Sequence, residues 1–132
     1  MQLQLKSFYV FLFSLLVVFA AGCRSNPVYN IEGASVMTGK TDVSVEDVKK
    51  AIIRAGGTLG WSMNPVSPGQ IIGTLRLRKH VAVVDIKYNT KTYSIMYKDS
   101  TNLDYNGTNI HSNYNGWIQN LDNAIKVQLN TL

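Results

Sequence analysis

The chain has 132 residues, with 13 Lys and Arg against 8 Asp and Glu and a formal net charge of +5, a length that suits one domain. Hydrophobic residues make up 45% and charged residues 16%, which excludes compositional disorder. A single Cys excludes an intrachain disulfide framework and a Cys-cluster zinc site, and two His exclude a His-rich metal centre.

Met1 to Lys6 forms a short positive segment, and Phe8 to Phe19 is apolar apart from Ser14. A dozen apolar residues is the length of a signal-peptide core, short of the roughly 20 needed to span a bilayer as a helix. Ala20-Ala21-Gly22 then leads into Cys23. This run resembles the bacterial lipobox, although Ala20 stands where Leu is usual. The resemblance implies that the Cys23 thiol is diacylglycerated, that the Gly22–Cys23 bond is cut by the lipoprotein signal peptidase, and that the new amine is acylated. Two or three acyl chains give stable anchoring where one does not. The competing readings are a secreted protein cut near Ala20-Ala21 and a retained membrane anchor. Asp just after the Cys favours retention at the inner membrane in such lipoproteins. Arg24 stands there instead, so the resemblance implies the periplasmic leaflet of the outer membrane.

Residues 1–22 are therefore expected to be a lipoprotein signal peptide, 23–43 the lipidated Cys and a flexible tether, and 44–132 one periplasmic domain. Arg24 to Asp42 carries Ser, Asn, Pro27, Gly33 and Gly39 without a sustained period. Twenty flexible residues span roughly 25 Å root-mean-square. The alternative is that Val28, Tyr29, Ile31, Val36 and Met37 add an edge strand or dock on the domain.

Ser44 to Ala55 reads as a helix. Ser44 is the expected N-cap, Asp47 follows three residues later, and Val45, Val48, Ile52 and Ala55 share one face. Gly56-Gly57 is the expected stop. Four strand signals follow. Thr58 to Asn64 places Leu59, Trp61 and Met63 on one face, and Pro65 to Gly69 reads as a loop that cannot continue a ladder. Gln70 to Arg78 alternates Ile71, Leu75 and Leu77 against Thr74, Arg76 and Arg78. Val81 to Tyr88 groups Ala82, Val84, Ile86 and Tyr88; Thr92 to Lys98 groups Tyr93, Ile95 and Tyr97. Arg78-Lys79-His80 is either a turn or the bulged middle of one long strand. Asn106-Gly107 is a turn signal. The last helix, Ser112 to Asn130, has the stripe Tyr114, Ile118, Leu121, Ile125 and Leu129, widened by Trp117 and Ala124, with Asp122 and Lys126 on a more polar flank.

Short connections favour antiparallel neighbours. The expected architecture is α+β, a two-layer sandwich in which an antiparallel four-stranded meander is covered on one face by two helices, in the order α-β-β-β-β-α.

From Arg78 onward the chain runs Arg78-x-His80-x-Ala82-x-Val84-x-Ile86-x-Tyr88, Tyr93-Ser94-Ile95-x-Tyr97, Ser100-x-Asn102-Leu103 and Ile110-His111-x-x-Tyr114-Asn115-x-Trp117-x-x-Asn120-Leu121. Together with the lipobox, this pattern resembles a group of small bacterial envelope lipoproteins. The resemblance implies location and a one-domain α+β fold. It brings no activity, so no catalytic residue carries over.

Candidate binding residues come from the residues themselves. Period-2 spacing groups Arg76, Arg78 and His80 on one face, where they could hold a carboxylate, a phosphate or a lipid headgroup. An ordinary solvated sheet face is the alternative. His111, Tyr114 and Trp117 cluster at the start of the last helix, either as a polar pocket that attracts anions or as a cap and core packing. Tyr88, Tyr93, Tyr97, Tyr105 and Tyr114 could line a groove with Trp61 and Trp117, or pack the core. Ser100, His111 and Asp104 are the residue types of a hydrolase triad but lack a nucleophile-elbow pattern. His80 and His111 with Asp99 or Asp104 do not match a compact metal motif. No catalytic residue, metal or cofactor is assigned.

The sequence therefore points to a lipid-anchored envelope protein acting as a non-enzymatic binding or scaffolding module. The alternative is a small cell-wall-active enzyme using His111, Asp99 or Asp104, and Tyr114. Expected partners are the membrane, through Cys23, and a cell-wall polymer or envelope protein. Export places the domain away from nucleic acid.

Overall fold

Ser44 opens the first helix by capping it. Its side chain accepts from the Asp47 N–H, and the Asp47 carboxylate accepts in return from the Ser44 N–H, both at 3.0 Å. That backbone bond, followed by Lys40 Nζ at 3.0 Å, holds the Asp47 carboxyl down to about 2. The computed structural model describes residues 25–132, so the expected signal peptide, the expected Gly22–Cys23 cleavage site and Cys23 lie outside the described residues.

The elements in chain order are β1 (Ser25–Pro27), β2 (Ile31–Ser35), α1 (Val45–Thr58), β3 (Ser62–Ser67), β4 (Gln70–Leu77), β5 (His80–Tyr88), β6 (Thr92–Thr101), β7 (Asn109–His111) and α2 (Ser112–Asn130). The chain is α+β. A five-stranded antiparallel sheet has the order β2-β6-β5-β4-β3, and β1 pairs separately with β7. The expected meander is present as β3 to β6. The fifth strand, β2, adds at the β6 edge, with Ile31 opposite Ile95.

That strand comes from the segment expected to be a tether. From Ser25 onward this segment pairs with the domain: Ser25, Asn26 and Pro27 face His111, Ile110 and Asn109. Asn115 of α2 clasps it further, accepting from the Tyr29 N–H at 3.0 Å and donating to the Pro27 carbonyl at 2.9 Å.

One core lies between sheet and helices. It joins Val48, Ala51, Ile52 and Ala55 of α1 with Ile71, Ala82, Val84, Ile86, Tyr93 and Ile95 of the sheet and Tyr114, Ile118, Leu121, Ile125 and Leu129 of α2. Val45, expected on the α1 core face, is exposed. Asp122, expected on a polar flank, is buried. It accepts from the Tyr93 hydroxyl at 2.5 Å and pairs with Lys126 Nζ at 2.9 Å.

Three boundaries differ from expectation. Helix α1 runs through Gly56-Gly57 and ends at Thr58, and the turn beyond it uses Gly60 at φ +85. Gly56 instead leaves room for Met63, whose side chain would collide with a Cβ there. Pro65 sits within β3, opposite Ile71, because β3 is an edge strand where a missing N–H costs the ladder nothing. Lys98 is an extra residue in β6: Val84 pairs with Tyr97 but Val83 pairs with Asp99. This bulge resets the phase, so Ser100 lies opposite core-facing Ala82.

Candidate functional site

Arg78 and Lys79 form a two-residue turn between β4 and β5. Leu77 pairs with His80 and Arg76 with Val81. Paired residues share a face, so His80 lies on the side of Ala82 and Val84, whereas Arg76 lies on the opposite side with Val81 and Val83. The expected grouping of Arg76, Arg78 and His80 on one face does not form, because a hairpin reverses the phase that a continuous strand would keep. Arg78 occupies the turn itself at φ 57.

The turn is tied to the loop after β6. Asn102 Nδ2 donates to the Lys79 carbonyl at 2.8 Å, and His80 Nδ1 donates to the Asn102 carbonyl at 2.7 Å. His80 therefore carries its proton on Nδ1 when neutral. His111 has the other tautomer: it is the N-cap of α2, and its Nδ1 accepts from the Asn113 N–H at 3.1 Å. The structure thus brings together three of the expected site residues. The His80 ring lies 6.1 Å from the rings of both His111 and Trp117. The Nδ1 atom of each His is spent on a structural hydrogen bond.

Tyr114 lies deeper. It is fully buried, and its hydroxyl has no hydrogen-bond partner among the described residues. Burial, followed by the nearby Tyr97 and Tyr105, pushes its hydroxyl above the usual tyrosine range. Tyr97 meets Tyr114 edge-on at 5.7 Å and stacks on Tyr105 at 4.2 Å. The bulge at Lys98 lets the Tyr97 hydroxyl reach Ser100 Oγ at 2.7 Å. Around this stack lies an open groove of about 440 Å³, lined by Tyr97, Asp99, Ser100, Asn102, Asp104 and Tyr105 among others. Asn102 and Asp104 both hold positive φ there, at 58 and 53.

Of the aromatic groove read from the sequence, Tyr97, Tyr105 and Tyr114 assemble at one end of the sheet. Tyr93 is committed to Asp122, and Trp61 and Tyr88 are buried elsewhere in the core. Asp99, Asn102 and Tyr105 were not candidate binding residues as a group. The signal that unites them is the bulge, which period-2 reading does not see.

Among the described residues, no three His, Cys, Asp or Glu gather into a metal-binding group, and no helix is long and apolar enough to cross a membrane. No known protein family, curated protein or solved structure matches the chain.

Proposed function

We propose that this is a lipid-anchored bacterial envelope protein, a non-enzymatic binding or scaffolding module held to the membrane through Cys23. The observation that carries this reading is the run from Phe8 to Cys23, an apolar segment of signal-peptide length closed by Ala20-Ala21-Gly22-Cys23. Two further observations support the non-enzymatic part. Among the described residues His111 Nδ1 accepts from the Asn113 N–H and His80 Nδ1 donates to the Asn102 carbonyl, so neither Nδ1 is held by Asp99 or Asp104, the carboxylates of the enzyme alternative. The binding feature is the Tyr97–Tyr105 stack, rimmed by Asp99, Asn102 and Asp104. An aromatic platform beside hydrogen-bonding groups suits a sugar unit of a cell-wall polymer. By its resemblance to lipoproteins with no Asp after the Cys, the location is the periplasmic leaflet of the outer membrane.

Metabolic labelling with a clickable fatty acid tests the anchor. The wild type takes up label and Cys23→Ser does not; equal label on both would sink the reading. Retention on isolated cell-wall material tests the module, with Tyr105→Ala expected to bind less.

A further inference from the structure

Two peptide steps separate Cys23 from Ser25, a span of at most about 7 Å. Ser25 is already in register with His111, so the folded domain begins almost at the anchoring residue. Two residues allow the domain far less reach from the anchor than a tether of twenty would.

The end of the domain nearest that point has a definite chemistry. The Arg78-Lys79 turn lies there, because His80 beside the turn is 6.1 Å from the His111 ring. Leu77 at the tip is 46% exposed, and Arg76, Arg78 and Lys79 around it are exposed as well. Trp117, partly exposed, sits behind them against His80. The tip is tied to the loop after β6 by the two hydrogen bonds through Asn102. Asp99 and Asp104 line the adjoining groove. The opposite end of the sheet carries the Asn89–Lys91 turn, the nine-residue length of β5 away, or roughly 26 Å.

We propose that the Leu77-Arg78-Lys79 tip docks on the anionic headgroups of the membrane that anchors Cys23, and so fixes the domain's orientation. This rests on lipidation of Cys23 as proposed above. Leu77 enters the boundary between headgroups and acyl chains, the cations of Arg78 and Lys79 meet lipid phosphates, and Trp117 lies at the interface. A turn already fixed in place by hydrogen bonds has less backbone freedom to lose on docking.

The test uses the full chain, purified from membranes in detergent and reconstituted into phosphatidylethanolamine–phosphatidylglycerol vesicles carrying a nitroxide-labelled lipid. Lipidated Cys23 has no free thiol, so Leu77→Cys or Lys91→Cys supplies one site for an apolar fluorophore. Intact mass reports the acyl chains independently. The fluorophore at position 77 should be quenched several-fold more than at 91. Adding Arg78→Gly and Lys79→Gln should lower the docked-to-free ratio at 77 by on the order of tenfold. Gly suits φ 57, so this variant keeps the turn. Equal quenching at 77 and 91 in acylated protein, or quenching that ignores the two charge substitutions, overturns the docking face and leaves the anchor standing. Absence of the acyl mass overturns the anchor and the docking face with it.

Discussion

Tyr93 donates its hydroxyl hydrogen to Asp122 Oδ1 at 2.5 Å, linking β6 to α2 through the core. The second carboxylate oxygen reaches Lys126 Nζ at 2.9 Å, at the protein surface. Both tyrosine and aspartate are buried, so removing either leaves a polar group without its partner. Tyr93→Phe and Asp122→Leu should each cost about 1–3 kcal/mol. The double variant should cost less than their sum, with a coupling of about 0.5–3 kcal/mol. Tyr114→Phe is the contrast, since its buried hydroxyl has no partner to lose among the described residues, and it should be neutral or stabilising. Urea melts of a soluble form starting at Arg24 measure all four. Strict additivity of the Tyr93 and Asp122 changes would mean that the hydrogen bond contributes nothing.

The same two tyrosines set an alkaline limit. Burial, then the hydrogen bond and charge of Asp122, raises the Tyr93 hydroxyl above its ordinary value; burial raises Tyr114, followed by Tyr97 and Tyr105. A group raised in the folded state contributes stability that is complete below its unfolded value and is lost as pH rises. Unfolded tyrosine ionises near 10, so stability should hold up to about pH 10 and then fall by about 1.4 kcal/mol per pH unit for each such tyrosine. Tyr88 and Tyr97 are raised as well and add to the slope. Chemical denaturation at stepped pH follows this, and replacing Tyr93 and Tyr114 together by Phe should flatten the decline. An unchanged slope in that double variant would refute the assignment.

The legible parts of the fold were those in which one face repeats. Val48, Ile52 and Ala55 at helical spacing are buried, as are Ile118, Leu121 and Ile125. Alternation likewise placed Ala82, Val84, Ile86 and Tyr88 in the core. The cap at Ser44 and the turn at Asn106-Gly107 were readable because each is a local hydrogen-bond device; Asn106 Oδ1 accepts from the Thr108 and Asn109 N–H groups. What escaped depends on distant partners. Residues 25–27 are too few to show a period, and their strand exists only because β7 lies more than 80 residues later. Leu77 keeps the apolar phase of β4 but is exposed at the tip, which alternation does not distinguish from burial. Half of the candidate site was readable in the same sense. His111 acts as the cap that its position before a helix suggested, whereas the Tyr97–Tyr105 groove depends on a bulge.

Gly56 and Gly57 are neighbours in α1 with opposite surroundings. A Cβ at Gly57 meets nothing within 4 Å, and one at Gly56 runs into three atoms of the Met63 side chain. Gly57→Ala should stabilise by about 0.5–1 kcal/mol, the helix-propensity gain alone. At Gly56 the same gain is opposed by displacing Met63 from the strand beside it, so Gly56→Ala should be the less stable of the two. Thermal melts of both variants decide it. Equal gains would mean that Met63 moves aside at no cost and that Gly56 has no packing role.

Leu121 and Asn123 are two residues apart in α2 and face opposite ways. Leu121 is fully buried in the common core, and Asn123 is exposed. Leu121→Ala removes apolar contact with the sheet and leaves a cavity that rigid strands close only in part, so it should cost about 2–5 kcal/mol. That is a large share of the 5–15 kcal/mol typical of a whole domain, so roughly a third of the stability could be lost in one truncation. Asn123→Ala touches only solvent and should change stability by under about 0.5 kcal/mol. Urea midpoints of the soluble form compare the two directly, and the urea slope shows whether the unfolded state has changed. Because α2 also carries the His111 cap, the Asn115 clasp on the segment after Cys23 and the Asp122 link to Tyr93, loosening its buried face should weaken all three together. Coincident midpoints for Leu121→Ala and Asn123→Ala would refute the packing of α2 against the sheet.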